Sequence, residues 1–246
     1  DAFKALSLTI KAGGNVTQNA AATVVGATSV DAKGFDVSLN NAGNDFNSVG
    51  VIANAVAITD KTGVALDVIS ATSLTVKAGG DVTQVADKAL AVTGATSVDA
   101  GNNNVTLANT GNDFGSVGVT GGAVSITDTN AVVLDAISAT SLTVKAGGAV
   151  TQNAAATVTG LASVDAGTNN VTLDQANNAL GSVAVTGGAV SITDKEALAF
   201  DAIKATSLTV KAGGAVTQVA DKALAVTGAT SVDAGKNNVT LANTGN

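Results

Sequence analysis

Aspartate and lysine are the only side chains present in number that could do acid–base work in this 246-residue chain. Eighteen of its 19 acidic residues are Asp, Glu196 being the other, all 12 basic residues are Lys, and there is no His, Cys, Tyr or Arg. That inventory removes the imidazole, thiol, phenol and guanidinium groups that serve most catalytic sites. Parallel β-helices that cleave polysaccharides need such groups, or paired carboxylates, at a cleft. Here the Asp and Lys residues recur with a repeat, and a recurring Asp is ordinarily a turn former that bonds its own backbone. No catalytic residue, cofactor-binding residue, cofactor or metal ligand is therefore assigned, and the chain is expected not to be an enzyme.

Asp45, Asp99, Asp113, Asp128 and Asp194 lie in turn-like segments beside Asn side chains and carbonyls. Those are hard oxygen donors of the kind calcium takes. Neither the G-G-x-G-x-D nonapeptide nor the D-x-D-x-D-G loop is present, so the carboxylates read as solvated turn groups. Four sequons, at Asn15, Asn104, Asn170 and Asn238, match N-x-T, a match that arises readily in a Thr- and Asn-rich chain. Ser73/Thr75, Ser141/Thr143 and Ser207/Thr209 are expected to stack in outward columns, which suggests an ice-binding array. Lys77, Lys145 and Lys211 interrupt that array and favour ordinary outward strand positions. Phe46 and Phe114 share a repeat position that is Leu180 in a third copy, so packing is their expected role.

The elements that would position these residues are strands. In Ser73-Leu74-Thr75-Val76-Lys77 the apolar residues alternate, as they do in 104–107, 124–127 and 90–93. A period of two with Val, Ile and Thr enrichment reads as half-buried strand. Gly-Gly, Asn-Asn and Asp-Ala-Gly clusters separate the strands as turns, with Gly79-Gly80 and Gly121-Gly122 expected to supply positive φ. The Asn-bearing turns at 102–104, 169–170 and 237–238 are expected to form stacked amide ladders. No segment reads as helix, and no apolar run reaches the ~18 residues of a membrane-spanning helix.

The phrase A-T-S-L-T-V-K-A-G-G-x-V-T-Q occurs three times and a variant opens the chain; its lysines are Lys11, Lys77, Lys145 and Lys211. Ala71–Asn112 and Ala205–Asn246 differ only at Asp81/Ala215 and Asn102/Lys236. The copies are 1–70, 71–138, 139–204 and 205–246, with the last partial. Within one copy a (S/T)-apolar-(T/D) triplet recurs at Ser73, Ser97, Ser125 and Ser141. That predicts about three coils per 66–68-residue repeat, roughly 22 residues each, about eleven coils and a rod of ~50 Å at ~4.8 Å per coil. The fold class expected is all-β, a single continuous β-solenoid over 1–246. A string of small β-sandwiches is the rival, for which the repeat is short. The chain starts and stops in mid-repeat, as expected of an interior piece of a longer protein.

Composition sets further bounds. The formal net charge is −7 and the pI near 4.3, which argue against a nucleic-acid partner. Without Cys there are no disulfides and no thiolate metal sites. At 46% hydrophobic residues the chain is too apolar to be disordered.

The run K-A-G-G-x-V-T-Q, then A-L-A-V-T-G, then N-N-V-T-L-A-N-T-G-N-D-F, then V-T-G-G-A-V-S-I-T-D resembles the β-strand repeats of filamentous-haemagglutinin-like proteins. Those are large bacterial exoproteins exported by two-partner secretion or as autotransporter passengers. The resemblance covers nearly the whole chain. It implies a right-handed parallel β-helix, extracellular or on the bacterial outer surface, serving adhesion, cell–cell contact or biofilm formation. It implies as partners a cell-surface or glycan receptor, and the exposed sheet edges add lateral or end-to-end self-association. A carbohydrate-active β-helix and a calcium-stabilised stalk, each with its specific site elsewhere, remain the alternatives.

Overall fold

A computed structural model of the chain describes residues 2–246. Strands, turns and bends account for all the regular structure, and there is no helix among the described residues. The chain divides into two compact units, Asp1–Asp128 and Thr129–Asn246. Each is a parallel β-solenoid, and the two together hold about 12 turns.

The first unit runs β1 (Phe3–Ala5), β2 (Leu8–Lys11), β3 (Val16–Thr17), β4 (Ala22–Asp31), β5 (Val37–Leu39), β6 (Asp45–Ile52), β7 (Ala55–Asp60) and β8 (Val64–Ala71). It continues with β9 (Ser73–Ala78), β10 (Val82–Gln84), β11 (Leu90–Asp99), β12 (Val105–Leu107), β13 (Asp113–Thr120) and β14 (Ala123–Asp128). Strands pair in parallel with elements of the next turn. One ladder is β2–β4–β6–β8 and another β3–β5–β7–β9. The long strands contain register shifts, between Val24 and Ala27 in β4 and between Val92 and Ala95 in β11. There the strand bends at a corner and serves two faces.

The second unit repeats the plan. Its strands are β15 (Val132–Ala139), β16 (Ser141–Ala146), β17 (Val150–Gln152), β18 (Ala156–Asp165), β19 (Val171–Leu173), β20 (Ala179–Thr186) and β21 (Ala189–Asp194). Then follow β22 (Leu198–Ala205), β23 (Ser207–Ala212), β24 (Val216–Gln218), β25 (Leu224–Val226) and β26 (Thr230–Asp233). One ladder is β16–β18–β20–β22, another β17–β19–β21–β23–β26.

Register fixes the length of a turn. In the first unit Ile10 stacks beneath Val30, Val51 and Ile69 in succession, so three turns carry the chain 59 residues. The repeat equivalent of Ile10 is Val76, seven residues past Ile69, while the next turn closes only at Leu90. A repeat therefore makes three turns and about a third, at roughly 20 residues per turn. The second unit behaves identically: Val144, Val164, Val185 and Ile203 stack, and Val210 comes seven residues later. As a result the copies of S-L-T-V-K within one unit lie in different ladders. The predicted three coils become three and a third, because the S-x-T triplets mark strands on different faces rather than successive floors of one face. Ser125 stacks on Thr106, for example, while Ser97 stacks on Thr75.

Each turn contributes inward Val, Leu, Ile and Ala to a core packed in columns, with Phe46, Phe114 and Phe200 as its largest buried side chains. Phe46, Phe114 and Leu180 are indeed buried equivalents. The double glycines work differently from the expectation. The left-handed glycines are Gly34, Gly101, Gly167, Gly235 and Gly245; neither Gly79-Gly80 nor Gly121-Gly122 is among them. Their need is for space. A methyl group at Gly79 would run into the Lys61 carbonyl oxygen one turn away, and one at Gly80 would lie 2.7 Å from the Gly63 nitrogen. The turns touch backbone to backbone here, with Gly79 N–H donating to Asp60 O and Gly80 N–H to Thr62 O.

Candidate functional surface

The polar groups inside the solenoid form one recurring device. Asn112 is fully buried, its Oδ1 accepting from Gln84 Nε2 at 2.7 Å and from Leu90 N–H at 3.0 Å. Its Nδ2 donates to Gln84 Oε1 at 3.0 Å and to Leu107 O at 3.2 Å. The same reciprocal amide pair joins Gln18 to Asn44, Gln152 to Asn178 and Gln218 to Asn246. Each pair links one turn to the next, 26 to 28 residues on. An uncharged, fully paired amide couple stabilises a buried turn without a desolvated charge. It offers no nucleophile or proton to a reaction.

Asp60, Asp128 and Asp194 are buried too, which corrects the reading of Asp128 and Asp194 as solvated turn groups. Their Oδ2 atoms accept from the backbone N–H of Phe46 (2.5 Å), Phe114 (2.7 Å) and Leu180 (2.6 Å). Asp194 Oδ1 also accepts from Glu196 N–H at 2.8 Å. Burial pushes the Asp194 carboxyl above its ordinary range, and the two backbone donors pull it the other way. Carboxylate oxygens facing amide protons stabilise the turn. The half-exposed Asp45 behaves oppositely: Lys61 Nζ at 3.0 Å from its Oδ2 holds its carboxyl below the usual range. Asp99 accepts from Gly101 N–H at 3.0 Å, the turn-forming bond expected of it. Asp113 occupies the position equivalent to Asp45. No cluster of three or more acidic residues suited to a metal ion occurs among the described residues.

The Asn-bearing turns do not stack amide on amide. Asn103 Nδ2 donates to Gly79 O and Ala100 O, and Asn169 and Asn237 do the same at their own turns. The ladder that does exist runs from side chain to backbone. Asp81 accepts from Asn104 N–H, and Asn104 Oδ1 accepts from Ala123 N–H, each contact crossing one turn. The sequon residues Asn15, Asn104, Asn170 and Asn238 are all exposed at such corners.

Two buried hydroxyls, Thr28 Oγ1 and Thr96 Oγ1, have no hydrogen-bond partner. Thr96 is 1% exposed, packed between Leu74 and Val117, and its third-repeat equivalent is Ala162. An unpaired buried hydroxyl costs about 1–3 kcal/mol. Thr96→Val, which keeps the shape and removes the hydroxyl, is therefore expected to stabilise the protein by about 1 kcal/mol, read as a higher denaturation midpoint.

Outside, the register decides what each repeated side chain sees. Thr75 lies between Ala57 and Ser97, Thr9 beside Ser29, Thr143 beside Ser163, and Thr209 between Ser191 and Ser231. The expected columns of equivalent Ser/Thr pairs do not form, because the extra third of a turn moves each copy to another ladder. A different couple recurs in all four copies: Lys11 beside Asp31, Lys77 beside Asp99, Lys145 beside Asp165 and Lys211 beside Asp233. Opposite charges side by side on adjacent strands favour this register over its neighbours. No helix is long and apolar enough to cross a membrane among the described residues.

Stacked parallel turns, glycine-mediated contacts between turns and a recurring amide pair define a tandem-repeat β-solenoid. The chain belongs to the family of repeats of unknown function designated DUF5649, whose model matches residues 2–53, 53–120, 121–186 and 187–246. No curated protein and no solved structure matches it.

Proposed function

We propose that this chain is part of a non-enzymatic scaffold, secreted or held at the bacterial outer surface, that works in adhesion or cell–cell contact by repeating one weak contact surface. The observation that carries the reading is the recurrence, in every copy, of one Thr–Ser pair on adjacent strands next to a Lys–Asp couple. A surface repeated in this way suits multivalent binding, in which weak contacts sum. The resemblance of the repeat phrases to those of filamentous-haemagglutinin-like exoproteins supports the location. Beads bearing many copies should bind bacterial or host-cell surfaces at least about 100-fold more tightly than the free chain. Protease applied to intact producing cells should release repeat fragments. Equal binding by beads and free chain removes the multivalent reading, and full protection in intact cells removes the surface location.

A further inference from the structure

The repeats are near copies, yet the first departs from the others in one consistent way. Five of its outward positions are large and apolar: Leu6, Val25, Phe35, Ile52 and Val68, all exposed. The equivalents in later repeats are Thr72, Thr93, Asn103, Thr120 and Ala136, and in the third copy Thr140, Thr159, Asn169 and Thr186. Among the later repeats Leu161 alone departs in a comparable way, standing where the others have Ala. Exposed aliphatic side chains grouped together mark an interaction surface, whereas scattered ones need no explanation.

Four of the five border one face, and Phe35 stands beyond it. The ladder β2–β4–β6–β8 forms one face of the first unit, with Ile52 paired to Asp31 below and Ser70 above. Leu6 and Val25 stand on successive turns at the corner entering that face, where the Leu6 carbonyl lies against Gly26. Phe35 stands past the opposite corner, lining a hollow with Lys11, Asp31 and Lys33. Between the corners is a cleft of about 230 Å³ lined by Ser29, Gly50, Ile52, Asp67 and Val68, open because Gly50 has no side chain. The face thus carries a ridge, with Leu6 84% and Val25 67% exposed, and a cleft large enough for such a side chain.

We propose that this face pairs with the same face of a second copy, Val25 and Leu6 of each entering the Ile52–Val68 cleft of the other. A two-fold pair exchanges ridge and cleft reciprocally, so both are filled at once. Charge agrees with a like partner. The chain as a whole is acidic, at −7, and repels its copies, but Lys11 and Lys33 balance Asp31 and Asp67 around this patch. Aliphatic ridges suit a protein partner better than a sugar, which stacks on aromatic rings. The patch spans four turns, roughly 15 Å at ~4.8 Å per step. With the eight-residue width of β6 at ~3.3 Å per residue, the face covers roughly 400 Å², less than the ~800 Å² per partner of a stable standard interface, so the pair is weak and concentration-dependent.

The test uses the whole chain. Sedimentation equilibrium should show a reversible monomer–dimer equilibrium. The variant L6T/V25T/I52T/V68A, which installs residues that later repeats already carry at these positions, should weaken dimerisation at least about tenfold while keeping the β spectrum and melting transition. Because the chain has no Cys, V25C and V68C each add a unique thiol. An oxidised mixture of the two should give a V25C–V68C cross-linked pair far faster than V25C mixed with S163C, whose thiol sits on the second unit. A chain that stays monomeric at every concentration, a dimer indifferent to the four substitutions, or equal cross-linking to S163C each overturns the proposal. The last two would assign self-association to other surfaces, such as strand edges.

Discussion

Asn112→Ala is expected to lower the unfolding free energy by about 3–4 kcal/mol, one of the largest effects of any single polar substitution in this chain. The side chain is fully buried and makes four hydrogen bonds, to both ends of the Gln84 amide, to Leu90 N–H and to Leu107 O. Truncation removes this partner from Leu90 N–H and Leu107 O inside the solenoid, while the half-buried Gln84 amide keeps Lys88 O and Asn109 N–H, and a buried unpaired group costs more than a formed bond contributes. The check is a denaturation midpoint together with hydrogen exchange, in which the Leu90 amide should lose protection first. The cost should be no smaller in Gln84→Leu/Asn112→Leu, because Leu90 N–H, Leu107 O and Asn109 N–H all lose their side-chain partners there. A double variant markedly more stable than the single one, or an Asn112→Ala chain of unchanged midpoint, would show that the bonds from this amide pair to the backbone are dispensable.

Gly79→Ala is expected to cost at least about 3 kcal/mol, although Ala is the mildest of substitutions on an ordinary strand. The added methyl meets the Lys61 carbonyl, a backbone atom of the adjacent turn that cannot swing aside. Gly101→Ala is the control. Its φ is +58 and nothing lies near the site of its Cβ, so it should cost only the left-handed penalty of about 1–2 kcal/mol. Measured midpoints falling in the opposite order would mean that turn conformation, rather than spacing between turns, is what these glycines supply.

Most of the architecture is legible in the sequence because period two survives in every copy. Much of the interior polarity is legible by the same rule applied one step further. In β14 Val124 and Ile126 point inward, and Asp128 is the next residue in phase. Asp60 and Asp194 follow the same pattern in β7 and β21. Asn112 is in phase with Phe114, two residues on, and both are buried. A polar residue type at the end of a strand suggests a turn, but the alternation places it inside. Two other features are not legible from residue types. The third of a turn left over by each repeat depends on how many residues each corner consumes, and corner geometry is absent from apolar periodicity. The service of Gly79 and Gly80 depends on what lies one turn away, about 18 residues distant along the chain by the register of the neighbouring strands. The first repeat's apolar substitutions stand in the sequence, but only the fold shows that Leu6, Val25, Ile52 and Val68 border one face.

The leftover third of a turn also protects a chain of near-identical copies from confusing them. Two segments that differ at two of 42 positions invite a strand to pair with its twin, within one molecule or between molecules. Native ladders never join twins within a unit: T-S-V-D lies on S-L-T-V-K, and that in turn lies on A-V-A-I-T or A-V-S-I-T. In the native order Lys77 sits next to Asp99. Twin pairing would set lysine against lysine at every copy of the phrase, and like charges directly across a ladder are destabilising. The chain thus carries a proofreading signal for its own assembly, written in the charge that each strand finds on the turn above.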